Sequence, residues 1–324
     1  MKFSNTQSFF GASSTKALLL TTTCCIVVVA AAGGIINSKK DPLSPLQGFT
    51  TTADAVLKVP RGGGEVGNLL PFDTMLVAKV ASALCFLQGA LFKFCPTPTL
   101  DAFKVSKTPT TNFISNRLGA TYLSFAVAIY TMIVGGGSII DAMKYSSMVM
   151  LCELIFSRIN NDSKIVGFDS TVDMLASIFY IAIIYGSYVN VGDDFLDTTI
   201  KAYGIFVVAV RSLLALNPMK MYELFGTTAT TNGKKQTTKA VPKDELLFVK
   251  SLGYVGLGVG IFIVALTMFD VKPTQAVGYG WIPQLVFNLS GLFVTNEVDD
   301  LKLNKNAYYM WLVFHALIIG TLVF

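Results

Sequence analysis

The sequence predicts an all-α, polytopic membrane protein. About eight transmembrane helices form two parallel four-helix modules in tandem, preceded by a signal peptide or signal anchor. Three observations carry this expectation. Apolar residues make up 52% of the 324 residues and charged residues only 14%, whereas soluble domains carry about 25% charged residues. With a mean hydropathy of +0.58, such a chain cannot present enough polar surface to water alone. Eight apolar stretches reach the length a bilayer requires, about 20 residues as helix. Finally, Tyr180–Gly186 (YIAIIYG) returns 134 residues later as Phe314–Gly320 (FHALIIG).

The elements follow in order. Met1–Lys16 carries Lys2 and Lys16 without an acidic residue, and an apolar run then ends in Ala30-Ala31-Ala32. Residues 1–32 therefore read as a signal peptide, with an uncleaved anchor as the alternative. Residues 33–70 are rich in Thr, Gly and Pro and lack apolar periodicity, so they read as a flexible linker. Hydroxyl-rich, acid-poor segments of this kind also serve as transit addresses.

Spans are expected near 74–94, 118–135, 138–157 and 171–190 in a first module, residues 71–192. The second module, residues 193–324, is expected to hold spans near 199–217, 246–268, 275–295 and 306–324, with a polar loop at 227–243. Their length and lack of strict alternation select helix over strand. Asp141 and Lys144 enter the third stretch, Pro283 interrupts the seventh, and Gly135-Gly136-Gly137 predicts a tight turn between the second and third.

Charge sets the orientation. Lys93, Lys104, Lys107, Arg117, Arg158, Lys220 and the lysines of the polar loop fall on one face. The positive-inside rule makes that face cytoplasmic, or stromal in a plastid membrane. Delivery by a signal sequence gives the same answer, because it places residue 33 on the far side. The expected location is a membrane of the secretory pathway, the endoplasmic reticulum or plasma membrane, with a plastid membrane as the alternative.

Further matches support duplication. Leu118-Gly119 and Leu252-Gly253 share the 134-residue offset, while Pro96 with Phe103 and Pro218 with Phe225 share an offset of 122. The difference falls in the polar loop, where a change of length costs least. Four helices return the chain to its starting side, so the copies are expected to be parallel. Gly256-x-x-x-Gly260, Ala182-x-x-x-Gly186 and Cys85-x-x-x-Gly89 allow close helix approach within the molecule.

Ionisable groups inside a bilayer are costly and so are functional candidates. The candidate intramembrane polar site comprises Glu153, Arg211 and His315. Glu153 and Arg211 could pair across the modules; a structural ion pair, or snorkelling to the headgroups with Arg158 as another partner for Glu153, is the alternative to a transport role. His315 is the only histidine; its place suits either a proton relay or a hydrogen-bonded packing role, and its repeat counterpart is Ile181. Gln88, Asn288 and Trp281 read as packing groups, Lys79 and Lys201 as lysines reaching for the interface, and Asp173 as a helix N-terminal acid.

Catalytic signatures are missing, so the chain is expected to be no enzyme and to take no metal or cofactor. Cys85, Cys95 and Cys152 have no paired spacing and read as small buried residues. The expected partner is the lipid bilayer, with no nucleic acid.

Lys79 through Phe103, Arg117-Leu-Gly119-Ala-Thr-Tyr122 and the Ala182/Gly186 helix resemble the four-helix unit of small DoxX-like membrane proteins. A signal run ahead of Val59-Pro-Arg-Gly-Gly63 resembles multi-span membrane proteins of secondary-plastid algae. Both resemblances imply a helical module and transfer no functional residue; the lack of a redox cysteine pair speaks against thiol chemistry. The leading functional expectation is transport or permeation of a small solute or lipid. The alternative is a non-enzymatic accessory subunit of a larger membrane complex, with other membrane subunits as partners.

Overall fold

The computed structural model describes residues 72–162, 171–189, 191–219 and 242–324. The expected signal peptide, the linker and nearly all of the polar loop lie outside the described residues. Every described regular element is helical. The helices are α1 (Thr74–Phe94), α2 (Pro96–Phe103), α3 (Pro109–Ile133), α4 (Ile139–Ile159), α5 (Thr171–Val189), α6 (Asp193–Leu216), α7 (Lys243–Met268), α8 (Pro273–Leu289), α9 (Glu297–Asp300) and α10 (Lys305–Leu322).

Each of the eight apolar stretches forms a helix. Four of these helices, α1, α5, α6 and α7, are long and apolar enough to cross a membrane. The others carry more polar side chains, and in α3 these face protein. The helix is buried without a break from Arg117 to Ile129. The hydroxyls of Thr121 and Thr131 donate to the carbonyls of Arg117 and Val127, one turn back, and Ser115 donates to the Phe92 carbonyl of α1. Outward faces are apolar: Met174, Ile178, Ile181 and Tyr185 of α5 are all exposed.

Local chemistry sets the helix ends. Thr108 caps α3 reciprocally with Thr111, and Pro109 occupies the first turn. Ser138 caps α4 in the same way with Asp141, so the acid that enters the third stretch belongs to a capping box. Lys144 pairs with Asp141 at 3.6 Å and lies over the rings of Tyr145 and Tyr188. Pro283 sits within α8, which continues as one π-helical turn, Ser290–Val294.

Helices α1, α3, α4 and α5 each pack on the next, and α6, α7, α8 and α10 repeat that order. The two sets meet along α3–α7, flanked by α5–α6 on one side and α1–α10 on the other. Phe125 and Phe262 close the seam edge to face at 5.4 Å, and both are fully buried, as is Trp281.

Equivalent positions adopt equivalent geometry. Helices α3 and α7 start at residues 109 and 243, α4 and α8 at 139 and 273, and α5 and α10 at 171 and 305, always 134 apart. The turn after α3 places Gly136 at φ +60°, and the turn after α7 places Asp270 at φ +48°. Gly137 N–H donates to the Thr131 carbonyl at 2.9 Å, and Val271 N–H to the Ala265 carbonyl at 3.2 Å. Gly119 packs on the backbone at Lys93, and Gly253 on the backbone at Ala215. Ser124 and Ser146 hydrogen-bond where α3 crosses α4, and Gly258 meets the Gly280 carbonyl where α7 crosses α8.

Candidate functional site

The structure does not gather Glu153, Arg211 and His315 into one site. Glu153 is buried on α4 and takes its counter-ion from Lys93, in the last turn of α1. The pairing with Arg211 is absent because a nearer cation exists within the same set of helices. Around this pair, Arg117 of α3 donates to Asp173 of α5 at 2.5 Å and to Ser157 of α4 at 3.3 Å. Asp173 is therefore both a first-turn acid and an ion-pair partner. Asp162, just beyond α4, is half-buried; burial first, and then the charge of Glu153, hold its carboxyl above the ordinary range, against the pull of Arg117 and Lys93.

Arg211 lies five residues before the end of α6 and runs over Gly256 of α7, where a Cβ would come 2.5 Å from its Cδ and Nε. Gly260, one turn on, seats Val208. The Gly256-x-x-x-Gly260 pair thus serves contact within the chain, between α6 and α7. Among the described residues no acid forms an ion pair with Arg211. Its charge faces a cavity of about 150 Å³ bounded by α3, α4, α5, α6 and α7. Arg117, Asp173, Thr121, Ser124, Tyr180 and Tyr203 supply the cavity's other polar side chains, and Phe206, Met150, Leu154 and Leu214 are among its apolar walls. The Tyr203 hydroxyl donates to that of Tyr180 at 3.2 Å.

His315 belongs to a second cavity, of about 60 Å³, bounded mainly by α1, α3, α7, α8 and α10. Gln88, Tyr122, Gln284 and Asn288 join it there. The Tyr122 hydroxyl donates to Gln284 Oε1 at 3.2 Å, and Asn288 Nδ2 lies 2.9 Å from His315 Nδ1. An amide nitrogen only donates, so Nδ1 accepts and the imidazole proton sits on Nε2. That Nε2, Gln284 Nε2 and Gln88 Oε1 are buried and have no partner among the described residues.

The two cavities are lined from equivalent positions. Ile114, Arg117, Thr121, Met150 and Leu154 of the first stand 134 residues before Phe248, Ser251, Val255, Gln284 and Asn288 of the second. Val210 and Leu214 stand 122 residues after Gln88 and Phe92, and Gly256 matches Tyr122. Sequence reasoning treated Gln88, Asn288 and Asp173 as packing or helix-end groups, counted Arg117 among the cations of the cytoplasmic face although it is buried within α3, and gave Tyr122, Tyr180, Tyr203 and Gln284 no site role. The 134- and 122-residue offsets were the signal that could have found them: at these offsets, polar residues stand opposite apolar or small ones.

Two further expectations change. Cys95 is exposed between α1 and α2 and only Cys85 is fully buried, because Cys95 falls at the helix cap. Lys201 pairs with Asp197 at 2.5 Å, one turn earlier on α6. No known protein family, curated protein or solved structure matches the chain.

Proposed function

We propose that the chain is a duplicated four-helix module with eight helices in the bilayer, and that its two seam cavities bind and pass a small solute or lipid without covalent chemistry. The observation that carries this reading is the equivalence of the cavities: both lie where one helical set meets the other, and both are lined from matching positions. Duplication is supported by the shared helix starts, the shared turn geometry and the shared crossings. Helix α3, one of the less apolar helices, fits a bilayer because the hydroxyls of Ser115, Thr121 and Thr131 are bonded inside the protein, the condition that lipid imposes. Both cavities present polar groups within apolar walls, as binding sites do.

Two experiments test this. Single cysteines at Gly136 and Asp270, in a chain lacking its own cysteines, should react with an impermeant maleimide from the far side only. Cysteines at Asn161 and Asn296 should react from the cytoplasmic side only. Labelling of Gly136→Cys and Asp270→Cys from opposite sides would end the parallel reading. For function, vesicles containing the chain should release some member of a panel of small organic anions and neutral solutes faster than empty vesicles. Val207→Trp, which fills the larger cavity, should slow that release. Equal release across the panel by empty and loaded vesicles would remove the transport reading.

A further inference from the structure

We propose that the larger seam cavity is a site for a monoanion, a carboxylate or phosphodiester on a compact apolar body, held by Arg211. This rests on the reading of the chain as a membrane-embedded binding protein, and it names the class of ligand.

The charge count comes first. Arg117 and Asp173 satisfy each other at 2.5 Å at the cavity wall. Arg211 lies within electrostatic range of both and of the Tyr180 and Tyr203 hydroxyls. Among the described residues that line the cavity, two guanidinium groups and one carboxylate leave one positive charge without a lining counter-ion. The acids of α6, Asp193, Asp194 and Asp197, sit at the opposite end of that helix. A lysine could shed its proton on burial, but a guanidinium cannot, so the remedy is a counter-ion. A single net charge calls for a monoanion, and the planar fork of arginine fits the paired oxygens of a carboxylate or phosphodiester.

Shape and hydrogen bonding agree. Tyr203 donates to Tyr180, so the Tyr180 hydroxyl keeps its own proton to offer as a second donor. Apart from Thr121 and Ser124 the remaining walls are apolar, with Phe206, Val207 and Leu214 flanking Arg211 on its own helix. A cavity of about 150 Å³ holds a ring the size of benzene, so the cavity of about 150 Å³ here sets the apolar body at about one such ring. The sister cavity is an internal control: Gly89 replaces Arg211 and Ser251 replaces Arg117 there.

The test uses the full chain in neutral detergent, with thermal unfolding and calorimetry as readouts. The probes are benzoate, short-chain phosphatidylglycerol and, as a neutral match, benzamide. At least one anion should raise the unfolding temperature of the native chain, and benzamide should not. Benzoate as the better ligand identifies a free carboxylate, and phosphatidylglycerol a lipid headgroup. R211Q should weaken anion binding at least about tenfold, as loss of one member of a buried charge pair does. Leu214→Glu places a carboxylate one turn from Arg211; it should fold at least as stably as the native chain and lose the anion response. If R211Q fails to fold, Leu214→Glu decides.

The site is wrong if neither anion stabilises the native chain, or if R211Q or Leu214→Glu responds as the native chain does. Vesicles that release neutral solutes, from a chain without an anion response, overturn the site and leave the transport reading standing. Anion binding without release of any solute does the reverse.

Discussion

Positions 211 and 117 put two arginines beside the larger seam cavity; the matching positions of the smaller one hold Gly89 and Ser251. Conversely, Gln88, Gln284 and Asn288 of the smaller cavity match Val210, Met150 and Leu154 of the larger. Volume follows the same exchange. Gly256 leaves room for Arg211 on one side, whereas its counterpart Tyr122 fills the other side and bonds Gln284. The same helical frame therefore holds a charged chamber and a neutral one, and the difference lies in a few side chains rather than in the backbone path. The lesson extends to the ion pair: Lys93 and Glu153 stand where the second set has Ala215 and Phe287.

That contrast can be broken most severely at the ion pair. Lys93→Ala strands a buried carboxylate and should cost about 3–5 kcal/mol, read from unfolding in detergent. Lys93→Ala with Glu153→Phe copies the other set and should recover most of the loss. A double variant as unstable as the single one would show that the two sets are not interchangeable there. Next in size, Gly258→Ser drives a side chain into the Gly280 carbonyl, with an expected cost of about 1–3 kcal/mol. Its mirror, Ser124→Gly, loses one hydrogen bond to Ser146 and should cost about 1 kcal/mol plus the penalty of a helical glycine.

Tyr122→Phe leaves Gln284 Oε1 unpaired and should cost about 1–3 kcal/mol, without altering any response to anions in the larger cavity. The smallest effect concerns pH. Asp162 is raised in the folded state, so that state holds its proton more tightly than the unfolded chain. Stability should therefore fall as pH rises from the ordinary aspartate value, 3.8, through the raised folded value. Asp162→Asn should remove that slope; an unchanged pH profile of the unfolding midpoint would exclude the effect.

Helix positions were legible because hydropathy is a local property. Boundaries shifted where polar residues belong to helices. Helix α3 begins at Pro109 rather than near 118, since its first turns hold Thr, Asn and Ser under a capping box. Helix α6 begins at Asp193 rather than 199, because Asp193 and Asp194 favour a helix N-terminus although they resemble a loop. Partnerships were not legible. Lys93 and Glu153 are 60 residues apart, and Arg117 and Asp173 are 56 apart, with no local pattern joining them. Arg211 was visible as an oddity, but its seat on Gly256 depends on the way α6 crosses α7.

Helix α7 lends Val249, Leu252, Gly256 and Val259 to one chamber and Leu247, Phe248, Ser251 and Val255 to the other, and α3 likewise touches both. The seam is in this sense a party wall. No change of bulk on it is private to one room, so a phenotype mapped to α7 must be measured on both sides before it is assigned to either.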